Sequence, residues 1–239
     1  MSMWNQIYLF AFLGGVILTL VDTPVFQWLA EKTDFMDRPQ ANHKGHRKAT
    51  PLLGGAAMFT AWILCLTAGV TAATSGWVPY FSEVLSEHLA GMQAVSRPLL
   101  FIALGAFLSV MLGLIDDKWA LTAAQKFGGQ FVIAVIGVWL GGVRINVFID
   151  NSWITGALTV FWIMLLMNSI NFFDNMDGLA VGTVTIAMGF FTILAALNHQ
   201  FFIAALAALT CGVGAGFWFY NFNPATIFMG DSGSHFLGY

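Results

Sequence analysis

Apolar runs alternate with short polar connections along the whole chain. A helix that crosses a bilayer needs about 20 predominantly apolar residues. Runs of that kind fall near residues 4–29, 52–74, 98–115, 126–142, 153–168, 179–197 and 201–220, and an eighth begins at Ser234 and stops with the chain at Tyr239. The pattern predicts an all-α, polytopic transmembrane bundle of about seven complete spans plus a cut-off eighth, folded as one integral-membrane domain over residues 1–239. The first run is full length and lacks a basic start, so it is expected to remain as a helix and not to be removed as a signal peptide.

Composition strengthens that reading. Hydrophobic residues make up 58% of the chain and charged residues 9%, against roughly 25% charged in a soluble domain. Mean hydropathy is +0.77. The net charge of −3 says nothing about nucleic acid, because the few cations are local and not spread, and no nucleic-acid partner is expected. Cys65 and Cys211 fall in separate apolar runs and read as packing residues, not a disulfide.

Lysine and arginine set the expected orientation. Alternate connections place Lys32, Arg38, Lys44, Arg47, Lys48, Lys118 and Lys126 on one side and Arg97 and Arg144 on the other. The positive-inside rule makes the first side cytoplasmic and puts the N-terminus outside. That same side receives Asp116, Asp117, Asp174, Asp177 and Asp231, with Asn168, Asn171 and Asn221. Topology therefore gathers the unusual polar groups at one face.

The densest of these stretches is Asn168-Ser-Ile-Asn171-Phe-Phe-Asp174-Asn-Met-Asp177-Gly178-Leu, between two bilayer-length runs. An unpaired carboxylate buried there costs several kcal/mol, so the group needs water, a cation or a ligand. Spaced three apart, Asn171, Asp174 and Asp177 would share a face on helical turns. Hard oxygens of this kind suit Mg²⁺, which binds through one or two carboxylates plus substrate phosphates. The plainer reading is that Asp174 or Asp177 caps the helix starting at Leu179.

Asp116-Asp117 closes the third run; adjacent carboxylates repel unless a cation relieves them, and Lys118 and Lys126 stand near. Otherwise the pair is a solvated helix end. After the seventh run comes Asn221-Phe-Asn-Pro224-Ala-Thr-Ile-Phe228-Met-Gly230-Asp231-Ser-Gly233. Here Asp231, between glycines, could hold a cation, and Phe228 could stack on a base or simply anchor at the interface. The first connection, with His43, Lys44, His46, Arg47 and Lys48, would attract a phosphate-bearing substrate or merely anionic lipid. No carboxylate or cysteine completes a zinc set around its two histidines. His88, His199 and His235 show no partner in the sequence.

Together these stretches resemble the polyprenyl-phosphate N-acetylhexosamine-1-phosphate transferases, a family that includes UDP-GlcNAc:undecaprenyl-phosphate enzymes and, more distantly, phospho-MurNAc-pentapeptide translocase. The matching pieces are Asp37-x-Pro39 with Lys44-x-His46 and Thr-Pro-Leu-Leu-Gly-Gly, Gly-x-Ile-Asp116-Asp117 with Leu121, Lys126 and Gln130, Asn168-x-x-Asn171-x-x-Asp174-x-x-Asp177-Gly-Leu, and Phe228-Met-Gly-Asp231-x-Gly-Ser. They stand in the family's order across residues 34–239. Departures are His43 where Arg is frequent, Ala49 where Pro is frequent, and Asn175 where Gly is common.

The resemblance implies Mg²⁺-dependent transfer of a sugar-1-phosphate, GlcNAc-1-phosphate first among them, from a UDP-sugar to undecaprenyl phosphate. UMP would be released at the cytoplasmic face of a bacterial inner membrane, in cell-envelope glycan synthesis. It casts Asp116 and Asp117 as the catalytic pair and Asp231 and Asn171 as metal ligands. Lys44, His46, Lys126, Asp174, Asp177, Asn221 and Phe228 would bind substrate, and a homodimer is left open. The family has further helices and a later histidine-bearing loop, so the chain is expected to be C-terminally short. Competing readings are a multi-span transporter and an inactive fragment of the transferase.

Overall fold

The structure is a computed structural model that describes residues 3–38, 49–75, 89–145 and 149–239. Lys44, His46 and His88 lie outside the described residues. In chain order the elements are α1 (Met3–Lys32), a short antiparallel pair β1 (Met36–Asp37) and β2 (Thr50–Pro51), α2 (Gly54–Thr74) and α3 (Leu89–Trp119). Then come α4 (Ala123–Val135, continued by a wider turn at Ile136–Leu140), α5 (Ser152–Phe173), α6 (Leu179–Leu197), α7 (Phe201–Asn221) and the short α8 (Gly230–Gly238). Seven of the described helices are long and apolar enough to cross a membrane, as the hydropathy pattern predicts. Their outward faces carry exposed Phe10, Val21, Trp28, Leu100, Phe161, Phe190 and Phe219. Apolar surface on this scale marks contact with lipid, and the chain is a multi-pass membrane protein. Cys65 and Cys211 are both free thiols.

The helices outrun the apolar stretches, and the difference matters for the site. Helix α3 continues through Asp116 and Asp117, α5 through Asn168 and Asn171, and α8 begins at Gly230, not Ser234. Hydropathy reports where the bilayer ends; backbone hydrogen bonding continues until a cap or turn stops it. Helix α4 starts at Ala123 because Thr122 and Gln125 form a reciprocal capping box. At its far end Arg97 Nε donates to the Leu140 carbonyl at 2.8 Å, satisfying one of the last acceptors.

Helix α8 lies at the centre, packed against α2, α3 and α5. Ser232, Ser234, His235 and Phe236 are all buried. Met58, Trp62, Val110, Phe217, Met229 and Phe236 form the larger core cluster around it, and Val138, Val160 and Met167 a second one that Tyr239 joins. Such close approach needs small neighbours. Gly113 on α3 faces the backbone of Asp231 and Ser232, where any Cβ would collide. Gly230 has φ +65°, and a Cβ there would sit 2.6 Å from Asp117 Oδ2. Gly230→Val is therefore expected to lower stability by about 1–3 kcal/mol from backbone strain alone. Gly128→Ala, at an open helical position, should be neutral or slightly stabilising. Thermal unfolding of both variants in detergent checks the contrast.

The strand pair brings a second segment to the same end. Phe228 N donates to the Pro51 carbonyl at 2.9 Å, and Gly54 N and Gly55 N donate to the carbonyls of Phe228 and Met229 at 3.1 and 3.0 Å. Residues flanking the basic connection are thereby tied to the chain just before Asp231. Arg38 pairs with Asp34, both well exposed, and takes no part in that junction.

Candidate active site

Two helix ends and two helix starts meet at a cluster of carboxylates. Between α3 and α4 the chain reverses in three residues: Ala120 N donates to the Asp116 carbonyl and Leu121 N to Asp116 Oδ1 at 2.7 Å. Lys126, one turn into α4, consequently faces the end of α3. Its ammonium lies 2.6 Å from Asp116 Oδ2 and 2.6 Å from Asp231 Oδ2. Asp231 sits in the first turn of α8, where the helix dipole favours a negative charge. On its other oxygen, Asn171 Nδ2 donates at 2.5 Å, and the same amide nitrogen reaches Ser234 Oγ at 2.9 Å.

Asp117 has a different task from its neighbour. Its two oxygens accept the backbone N–H groups of Asp231 (2.9 Å) and Ser232 (3.3 Å). It thus caps α8 from another helix and holds the Asp231 backbone in place. The resemblance pairs Asp116 with Asp117; the geometry separates them into a partner of Lys126 and a brace for α8.

Burial alone would push the Asp231 carboxyl up, but hydrogen bonds with Asp116, Lys126 and Asn171 and the Lys126 charge hold it below the usual carboxylate range. Asp174, at the end of α5, is pushed up to about 8, first by burial and then by the charges of Asp231, Asp117 and Asp177. Four carboxylates gather around one ammonium, which bridges Asp116 and Asp231, so the cluster carries surplus negative charge and an added cation would relieve it. Among the described residues no three His, Cys, Asp or Glu side chains form a ready-made metal cage. Mg²⁺ does not require one, since substrate phosphates complete its shell. Hard oxygens with surplus charge fit that ion.

The sign of the Asp174 shift has a measurable consequence. Its folded-state value lies above the ordinary 3.8, so between about pH 4 and 8 the folded form binds more protons than the unfolded one, and stability from this group falls as pH rises. Without divalent cation, Asp174→Asn is expected to melt higher than the parent near pH 8. The gap should close toward pH 4 and shrink on adding Mg²⁺; melting curves at several pH values test it.

The expected shared face of Asn171, Asp174 and Asp177 does not form, because α5 ends at Phe173 and only Asn171 stands on it. Asp177 Oδ2 instead accepts Ala225 N at 3.0 Å. Neither aspartate caps α6, whose N-cap is Gly178 without a side-chain bond. Asn221, 2% exposed, accepts from Gly178 N at 3.1 Å and donates to the Ile227 carbonyl at 3.0 Å. It clamps two loops together, with its amide engaged at both ends. Phe228 is half-buried with its backbone pinned to Pro51 and Gly54. Asn171 turns its amide nitrogen, not its oxygen, to Asp231 and so steadies that carboxylate. Two cavities of about 460 Å³ lie elsewhere, one lined by Phe191, Asn198 and Thr210, the other by Trp4, Cys65 and Phe202.

Residues 99–239, which contain every member of this cluster, match the model of glycosyl transferase family 4. The chain belongs to that family. Relatives within it include a Bacillus subtilis (strain 168) protein named "Probable undecaprenyl-phosphate N-acetylglucosaminyl 1-phosphate transferase", 34% identical over 96% of this chain and 60% of its own length. A phospho-N-acetylmuramoyl-pentapeptide-transferase of Bacillus pumilus (strain SAFR-032) is 31% identical over 99% of this chain and 74% of its own. The one from Geobacillus thermodenitrificans (strain NG80-2) is 31% identical over 98% and 73%. The chain thus spans about 60% of the first relative's length and about three quarters of the others'.

Proposed function

We propose that this family 4 protein transfers a sugar-1-phosphate, GlcNAc-1-phosphate in the first instance, from a UDP-sugar to a polyprenyl phosphate at the cytoplasmic face of a bacterial inner membrane. The observation that carries the reading is the meeting of Lys126 and Asn171 on Asp231, with Asp116 and Asp174 alongside, at one end of a membrane bundle. The positive-inside count supports a cytoplasmic location for that end. The relatives' names supply the substrate class.

Charge dictates the division of labour. Attacking phosphate and donor diphosphate are both anionic, so the site must offset their repulsion. Mg²⁺, held by Asp231 and Asp174, would neutralise the diphosphate and the charge growing on the leaving UMP. Lys126 adds a point charge between Asp116 and Asp231 and can pass to a phosphate oxygen when substrate enters. Asn171 fixes the Asp231 carboxylate, and Asp117 fixes the helix that bears it. With a second pKa near 6, the polyprenyl phosphate is already an adequate nucleophile at neutral pH. An oxygen of the lipid phosphate attacks the β-phosphorus in line, the new P–O bond forms, and the bond to UMP breaks with its electron pair leaving on UMP.

Exchange of labelled UMP into UDP-sugar, dependent on Mg²⁺ and polyprenyl phosphate, tests the reading. Solute transport without such exchange would favour a transporter instead. A chiral phosphorothioate donor should show inversion at phosphorus; retention would point to a covalent aspartyl-phosphate intermediate and reject the single step.

A further inference from the structure

Directly beneath the carboxylates lies a second polar layer that the proposed chemistry does not use. His235 is fully buried on α8, four residues after Asp231. Gln130 is fully buried on α4, four after Lys126, and Asn168 stands on α5, three before Asn171. Residues three or four apart share a helix face one turn removed. Each of the three helices therefore contributes one member to an upper tier (Lys126, Asn171, Asp231) and one to a lower tier (Gln130, Asn168, His235).

The lower tier has a fixed sense. Asn168 Nδ2 donates to the Met164 carbonyl at 2.7 Å and to Gln130 Oε1 at 2.7 Å, which commits its nitrogen. The Gln130 nitrogen then faces Asn168 Oδ1 at 3.4 Å and His235 Nε2 at 3.0 Å. An amide nitrogen has only hydrogens to give, so His235 Nε2 accepts and the ring is neutral with its proton on Nδ1. Nδ1 is buried and has no partner among the described residues, so the ring is held through Gln130 alone. A neutral ring also suits a position one turn below the Lys126 ammonium.

We propose that His235, Gln130 and Asn168 are positioning residues: they lock the rotation of α8, α4 and α5 so that Lys126 and Asn171 converge on Asp231. If His235 loses its acceptor, the freed Gln130 amide must find other oxygens, and one helical turn away stand the carboxylates that Lys126 bridges. Competition there loosens Lys126. The consequence for turnover rests on the transferase reading; the consequence for Lys126 does not.

The test uses the full chain in lipid nanodiscs and two readouts, the rate of Lys126 acylation by acetic anhydride followed by mass spectrometry and the kcat and KM of UMP exchange. His235→Leu is expected to speed acylation and lower kcat by about tenfold or more while KM for UDP-sugar stays within about twofold, since misplaced groups cost rate before binding. His235→Gln, whose side-chain oxygen can accept from Gln130, should bring both within about threefold of the parent. If His235→Leu does not fold, Gln130→Met, matched in length, breaks the tie to His235 and Asn168 without freeing an amide and is expected to loosen Lys126 through the lost rotation lock alone. Unchanged Lys126 protection in His235→Leu or Gln130→Met, or a Gln variant as impaired as Leu, overturns the proposal. A parent that protects Lys126 but never exchanges UMP overturns the transferase reading and leaves the acylation data to judge the tier.

Discussion

Asp231→Asn is expected to abolish UMP exchange, with a fall of at least about 10²–10³, the range lost when one preorganised electrostatic element is removed from a transition state. The carboxylate is the common partner of Lys126 and Asn171 and lies in the first turn of α8. Neutralising it would remove both the charge that positions Lys126 and an oxygen able to hold Mg²⁺. The substitution is nearly isosteric, so insertion and the melting transition should survive. Activity within threefold of the parent would remove Asp231 from the centre of the site. Chelation of divalent cation should reproduce the loss in the parent and add little in the variant.

Lys126→Met should act through both stability and rate. The ammonium links Asp116 and Asp231, whose side chains are 8% and 28% exposed. Hydrogen bonds to charged groups contribute about 1.5–3 kcal/mol, and removing one partner leaves the other uncompensated. Because these groups are partly exposed, solvent screens some of that, and a loss of about 1–2 kcal/mol is expected. Exchange should fall by about 10² or more as the carboxylates repel one another and the donor diphosphate. Added Mg²⁺ should recover part of the melting temperature but not the rate, since a cation relieves repulsion without restoring the lysine contact. Lys126→Arg should keep stability better than rate, because a planar fork does not reproduce a compact point charge held by two oxygens. Full activity in the methionine variant would show that the bridge is only structural.

Several roles could have been found earlier in the chain. Thr122-x-x-Gln125 is a capping-box signature, and it accounts for α4 beginning early enough to aim Lys126 at Asp116. The equal spacings of Lys126 and Gln130 and of Asp231 and His235 are likewise visible in the sequence. Nothing in them says that those two helices touch. Asp177 and Asn221 look no different from Asp174 and Asn171 along the chain, yet they hold Ala225, Gly178 and Ile227 in the loops behind the cluster.

By itself the sequence determined the number of spans, the free state of both cysteines and the gathering of acidic groups at one end. These follow from how each residue partitions between hydrocarbon and water, a property of single positions and their spacing. The tertiary structure alone decided which acidic groups face one another: Asp116 and Asp231 across Lys126, Asp117 beneath the start of α8, Asp177 turned to a loop. Facing depends on the rotation of each helix about its axis. Here that rotation is set by backbone contacts such as Gly113 against Ser232, and hydropathy carries no trace of them.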